Sequence, residues 1–119
     1  MTATTTYKPG DVVLIPFPFT DLTTVKYRPA IVISSARFNK TQYDIIAVAV
    51  TSNPYAERKE YGYTLGKEEC KRAGLFSPST VKVGKITTID QRLIRKRIGY
   101  LSHKTVAQIS THLHTILNY

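Results

Sequence analysis

The chain has 119 residues, 42% of them hydrophobic, which fits one globular domain with a single modest core. Seventeen Lys and Arg residues against eight Asp and Glu residues give a net charge of +9, a balance that favours a nucleic acid or an acidic protein as partner. No apolar run approaches the roughly 20 residues of a membrane span, and the first residues lack a secretion-signal pattern, so we expect a cytoplasmic protein.

The N-terminal half predicts strands separated by polar segments. We expect residues 1–7 to form a flexible N-terminus and residues 8–119 to form a single domain. Apolar, β-branched runs predict strands at 10–17, 28–35 and 43–51. Two prolines and a polar middle indicate a loop over 16–27, and the polar stretch 37–42 predicts a turn.

The C-terminal half predicts shorter strands and a final helix. A polar loop over 52–62 leads to a short strand near 61–65, and 66–75 fits either one helical turn or a loop. Further strands are predicted at 79–89, with a bend or bulge at Gly84, and at 95–101.

The period of the apolar residues changes at Ser102, which is a suitable helix N-cap. Apolar residues then recur at helical spacing, at Val106, Ile109, Leu113, Ile116 and Leu117. Short strands followed by one amphipathic helix predict a mainly β fold with some α: a small, strongly bent antiparallel sheet or barrel covered by the helix.

The sequence lacks the residue patterns of metal binding, nucleotide-phosphate binding and serine-nucleophile catalysis. His112 and His114 lie two apart on the predicted helix and point in nearly opposite directions, so they cannot share a metal ion, and we expect no cofactor. The sequence has neither a phosphate-binding Gly-rich motif nor the Gly-flanked serine of a nucleophile elbow. Cys70 is the only cysteine, so no intrachain disulfide forms.

The remaining polar groups suit phosphate contact, and eight tyrosines are available for base stacking. Arg28 is held extended because it precedes Pro29, and its guanidinium has the geometry to grip a phosphate with two hydrogen bonds. Thr51 and Ser52 end the next predicted strand. An exposed arginine and a strand-end turn are the alternative readings of these residues.

The order of the segments "GDVVLIPFPFTD", "YRPAIVISS", "DIIAVAVTSN" and "GLFSPSTVKVGKITTIDQRLIRKRIGYLS" resembles the MazF/PemK family of toxin-antitoxin endoribonucleases, from about residue 8 to about residue 117. The resemblance implies a small SH3-like barrel of the CcdB/PemK type, a homodimer, and cleavage of single-stranded RNA without a metal. It also implies an antitoxin protein that holds the toxin inactive.

The resemblance also implies site residues. Arg28 and Thr51 match the catalytic arginine and threonine, and Ser52 matches the residue that follows the threonine. The implied reaction is attack of an RNA 2′-hydroxyl on the adjacent phosphorus, with Arg28 and Thr51 stabilising the charge that develops. Lys82 matches a basic position of some relatives, and Lys85 is a further candidate for phosphate contact.

Three positions depart from the family pattern. Gly84 and Lys85 stand where some relatives carry an acid and a glutamine, and Thr87 stands where many carry an arginine. The proton acceptor is therefore left open. Two alternatives also stay open: a non-catalytic barrel toxin that binds a protein target such as gyrase, and an RNA-binding homologue without activity.

Overall fold

A computed structural model describes residues 6–18, 25–53 and 61–118, except for the side chains of Pro18 and Val25. The strands are β1 Asp11–Pro18, β2 Val25–Val32, β3 Asp44–Thr51, β4 Gly62–Thr64, β5 Thr80–Asp90 and β6 Lys96–Tyr100. The helices are α1 Ala36–Thr41, α2 Lys67–Arg72 and α3 His103–Leu117, with a 3-10 turn at Gln91–Leu93.

The strands form one six-stranded sheet in the order β4-β5-β3-β2-β1-β6, and every pair is antiparallel. This sheet is an antiparallel half-barrel with three helices, which confirms the predicted mainly β fold and its C-terminal helix. Of the predicted flexible segment, residues 1–5 lie outside the described part of the chain. None of the helices within the described residues is long and apolar enough to cross a membrane.

Two predictions of irregular structure were wrong. The predicted loop at 16–27 contains the end of β1 and the start of β2, and only 19–24 lie outside the described residues. Pro16 pairs with Tyr27 of β2, but the pairing of β1 with β6 ends at Leu14, so the missing proline N–H faces a side without a paired strand.

The predicted turn at 37–42 is helix α1, because the Ser35 hydroxyl accepts a hydrogen bond from the Phe38 amide at 3.1 Å and caps it. At 66–75 the helical alternative is confirmed by α2. The predicted bend at Gly84 is also confirmed: β5 bulges where the β3–β5 register shifts between Val48 and Ala49.

Alternation along the strands gives the sheet two apolar faces. The face covered by α2 and α3 carries the larger cluster, whose strand members are Val12, Ile31, Val48, Val50, Val81 and Val83. The opposite face carries a smaller cluster of Val13, Ile15, Ala30, Val32, Ile45 and Ala47. We call these the helix face and the open face.

Helix α3 begins as predicted, with the Ser102 hydroxyl accepting from the Thr105 amide. Ile109 and Leu113 are buried against the helix face, whereas Leu117 is 48% exposed. The predicted apolar stripe therefore packs along most of the helix but not at its last residue. Asn118 ends the helix in the left-handed conformation.

A buried polar network joins the β2–β3 connection to its surroundings. The Ser34 hydroxyl donates to Asn39 Oδ1 at 2.5 Å and accepts from the Ile46 amide at 2.9 Å. Asn39 Nδ2 donates to the carbonyl of Tyr7 at 2.8 Å, and Gln91 Nε2 donates to the carbonyl of Asn39 at 2.7 Å. Because Ser34 and Asn39 are both buried, losing either would leave unsatisfied polar atoms in the interior.

Glu69 ties α2 to β4 and α3. Its carboxylate accepts hydrogen bonds from the Tyr63 hydroxyl at 3.0 Å, the Gly66 amide at 2.7 Å and the Thr105 hydroxyl. Burial raises the pKa of Glu69, but the bonds from Thr105, Gly66 and Tyr63, with the nearby Arg72 charge, outweigh it and lower the pKa below its ordinary 4.5.

We expect Glu69→Gln to lower the free energy of unfolding by about 1–2 kcal/mol near pH 7, because an amide cannot accept all three bonds and solvent screens this half-exposed site. Because the pKa of Glu69 is lower in the folded protein than in the unfolded chain, its carboxylate stabilises the fold at any pH above the unfolded-state pKa. This stabilisation is lost as the pH falls through the pKa of the folded protein. Urea unfolding should therefore show the two proteins converging in stability below pH 4.5. Glu68→Gln, an exposed neighbour on α2, is the matched control, and equal stabilities at neutral pH would contradict the assignment.

Candidate functional site

The register between β2 and β3 brings two predicted site residues together. The paired ladder runs from Val32 opposite Ala47 to Ala30 opposite Ala49. The ladder ends at that pair, but side chains alternate along each strand, so Arg28 shares the face of Ala30 and Thr51 shares the face of Ala49. Arg28 and Thr51 are thus the next residues of the same face on the two strands. Arg28 and Thr51 therefore lie on the open face, where Arg28 also pairs with Ile15 of the apolar cluster.

A turn at the end of β3 orients the Thr51 hydroxyl. Its oxygen accepts a hydrogen bond from the Asn53 amide at 3.1 Å. A hydroxyl that accepts one bond keeps its own hydrogen for donation. Thr51 is half-buried, whereas Arg28 is exposed. The pair thus combines an oriented hydroxyl with the guanidinium of an exposed arginine.

The row of polar side chains continues onto β5. Thr80 is the partner of Thr51, and Lys82 is the partner of Ala49, so both belong to the open face. The Thr80 and Thr64 hydroxyl oxygens lie 3.4 Å apart across β4–β5. Guanidinium, ammonium and hydroxyl donors therefore line one side of a sheet whose floor at Ala30 and Ala49 is made of small side chains. Such donors suit phosphate oxygens.

Lys82 and Lys85 meet at a second feature, a cavity of about 540 Å³. It lies between the start of β4, the β5 bulge and the C-terminal part of α3. We call it the Tyr61 pocket, and its lining residues are Tyr61, Lys82, Gly84, Lys85, Thr115 and Ile116. Lys82 is half-buried and Lys85 is exposed. The two predicted phosphate-binding lysines are thus close together, and Lys82 belongs to both the pocket and the open face.

The remaining predicted residues lie at the edges of this arrangement. Ser52 is exposed directly after β3. Asp90, outside the predicted set, caps the 3-10 turn, with Oδ1 accepting from the Arg92 amide at 2.8 Å. The Arg92 guanidinium holds the pKa of Asp90 below its usual range. The carboxylates of the described residues, Asp11, Asp44, Glu68, Glu69 and Asp90, all lie outside the row of Arg28 and Thr51.

Two residues of the site escaped the sequence analysis. Thr80 joins Arg28 and Thr51 only through cross-strand pairing, which no local pattern reveals. Tyr61 lies in a stretch that reads as a polar loop, and only its place in the Tyr61 pocket singles it out. Within 6–18, 25–53 and 61–118, His, Cys, Asp and Glu form no cluster of three that could hold a metal ion.

Comparison with known families gives a match over almost the whole chain. A family model described as "PemK-like, MazF-like toxin of type II toxin-antitoxin system" matches residues 8–117. No curated protein sequence matched the chain.

Solved structures share the fold at low sequence identity. A MazE-MazF crystal structure from Deinococcus radiodurans has a TM-score of 0.78 at 21% identity, covering 97% of this chain and 98% of the other. An endoribonuclease in complex with its cognate antitoxin, from Mycobacterial species, has a TM-score of 0.76 at 18% identity, covering 94% and 95%. A mycobacterial endoribonuclease has a TM-score of 0.75 at 20% identity, covering 96% and 93%. The half-barrel is therefore the fold of these proteins, as the resemblance in sequence implied.

Proposed function

Because the chain belongs to the family of PemK-like, MazF-like toxins of type II toxin-antitoxin systems, we propose that it is a cytoplasmic endoribonuclease that cleaves single-stranded RNA without a metal ion. The observation that supports the proposal is that β2 and β3, which are paired, carry Arg28 and Thr51 on the same, open face. Solved structures of similar fold are named as endoribonucleases, which supports the same reading.

The proposed reaction uses the RNA's own 2′-hydroxyl. Its oxygen forms a bond to the adjacent phosphorus while the bond from phosphorus to the 5′-oxygen of the next nucleotide breaks. The 2′-hydroxyl proton leaves to a base, and the departing 5′-oxygen takes up a proton. The products are a 2′,3′-cyclic phosphate and a 5′-hydroxyl end, and DNA is spared because it lacks the 2′-hydroxyl.

Arg28 and Thr51 act on the charge that gathers on the phosphoryl oxygens. The guanidinium offers two parallel donors, and the oriented Thr51 hydroxyl offers a third. Arg28 does not act as the base, because its pKa exceeds about 12. Donors aimed at developing charge are worth roughly 3–4 kcal/mol each in other enzymes.

Ser52, Lys82 and Lys85 are assigned to RNA binding. The two lysines carry the positive charge of the open face towards β4, away from Arg28. Lysine contacts to phosphates release counterions, so they contribute affinity without sequence preference.

The first test of the proposed function is cleavage in excess EDTA. We expect the purified protein to cleave single-stranded RNA at an unchanged rate with a chelator and to leave a 5′-hydroxyl end, which a kinase can phosphorylate directly. Loss of cleavage in EDTA and its return with a divalent ion would overturn the metal-independent mechanism. Binding of RNA without any cleavage would favour the inactive homologue, and neither binding nor cleavage would favour a toxin that acts on a protein.

The second test removes the assigned donors. Arg28→Ala is expected to lower the cleavage rate by about two orders of magnitude or more, and Thr51→Ala by somewhat less, because each loses a donor to the transition state. Thr51→Ser keeps the hydroxyl and should retain most of the activity. Arg37→Ala, an exposed arginine on α1, is the matched control. Melting curves check folding, and a folded Arg28→Ala protein with a normal rate would remove Arg28 from the site.

The third test concerns the partner proteins. We propose a homodimer whose grooves are built from both subunits, and an antitoxin with an acidic, partly disordered tail that folds along the open face. Carboxylates of such a tail would meet the same cations as RNA, so inhibition should be competitive and should weaken with salt.

The protein encoded beside this chain is the antitoxin candidate to co-purify, with mass in solution and RNA competition as the measurements. A monomer that binds this neighbour and RNA at once, with neither affinity reduced, would contradict the partner proposal while leaving the cleavage chemistry untouched.

A further inference from the structure

The Tyr61 pocket lies at the β4 edge of the sheet, next to Lys82, and it has both apolar and basic walls. Tyr61 is 39% exposed, and half-buried Ile116 provides apolar surface from α3. Lys82 and Lys85 provide positive charge at the same cavity. An aromatic face with an apolar wall suits a flat, unpaired base, and the lysines suit the phosphate attached to it.

Gly84 keeps this cavity open. An ideal Cβ at Gly84 would lie 3.7 Å from Ile116 Cδ1, an ordinary contact distance, so the space beyond it is what a longer side chain would occupy. Gly84 is not among the glycines with a positive φ, so the backbone does not require glycine there. The absence of a side chain at 84 therefore provides room rather than conformational freedom.

The register relates the pocket to the catalytic row. Lys82 pairs with Ala49 on one side and with Gly62, the residue after Tyr61, on the other. Strand β4 is an edge strand of the sheet, and the α3 wall of the pocket belongs to the helix face, so the pocket lies at the edge of the sheet, three strand spacings or roughly 14 Å from β2. An RNA that crosses the open face from Arg28 past Lys82 would reach the pocket at this edge.

We propose that the Tyr61 pocket is a base subsite: it holds one unpaired base of the RNA by stacking on Tyr61, while Lys82 and Lys85 bind the phosphate of that nucleotide. This inference rests on the proposed function, because it assumes that single-stranded RNA crosses the open face. It goes further because it assigns Tyr61 and Gly84 to the binding of one particular base of the RNA.

The experiment pairs changes in the RNA with changes in the protein. A cleavage site is first mapped with the wild-type protein on a long RNA. Oligonucleotides carrying that site, made uncleavable by a 2′-deoxy group at the cleaved nucleotide, then receive one abasic nucleotide at each position in turn. With wild-type protein, we expect one position near the scissile phosphate to lose about 10- to 100-fold in affinity when its base is removed.

The Tyr61→Ala protein should bind the intact oligonucleotide with an affinity lower by a similar factor. Removing the base at that position should then cause no further loss of affinity. Tyr61→Phe keeps the ring and should bind like wild type. Gly84→Leu fills the cavity and should reproduce the Tyr61→Ala result. Tyr43→Ala is the matched control, because Tyr43 is 88% exposed at the opposite end of β3 from Thr51.

The charge contribution has its own measurement. Lys85→Ala should make the slope of log affinity against log salt shallower by about 0.7, the value for one phosphate contact with a single strand. Melting curves confirm that each variant is folded.

The outcomes separate the subsite from the activity. If wild-type protein cleaves RNA but Tyr61→Ala keeps both the affinity and the abasic profile of wild type, the base subsite is wrong and the nuclease remains. If wild-type protein neither binds nor cleaves RNA, the proposed function itself has failed.

Discussion

The antiparallel register between β2 and β3 is the constraint on which the candidate site depends. A slip of one residue would turn every side chain of one strand to the other face, so Arg28 would leave the face that Thr51 occupies. The register is pinned at the far end of the pair, where the Ser34 hydroxyl accepts from the Ile46 amide and donates to buried Asn39. A polar network several residues away thus fixes the geometry of the exposed end, because the sheet transmits the register along its length.

The bulge in β5 determines which face of the sheet the side chains of residues 80–83 occupy. If the pairing of Val48 with Ile86 continued unbroken, Thr51 would meet Val83 and Ala49 would meet Lys85. The shift of three residues reverses the face that the β5 side chains on the N-terminal side of the bulge occupy. Val81 and Val83 are fully buried on the helix face as a result, while their neighbours Thr80 and Lys82 turn to the open face. One irregularity therefore completes the core and extends the polar row at the same time.

Much of this could be predicted from local sequence patterns. The β-branched runs, the Ser102 cap and the bend at Gly84 are features of neighbouring residues, and the structure has them where the sequence places them. Strand structure through Pro16 could not be predicted, since it depends on β6 pairing with only part of β1. For the same reason Thr80 and Tyr61 were missed: their proximity to Thr51 or Lys82 arises from pairing between strands that are distant in sequence.

The charge of the open face explains why one surface would serve two partners. Arg28 and Lys82 lie on it with a floor of small side chains. The proposed RNA backbone and the proposed acidic tail bring the same negative charge, so each gains affinity from the same cations and occupying one excludes the other. Inhibition then needs no conformational change in the toxin, because competition for charge on one face is sufficient.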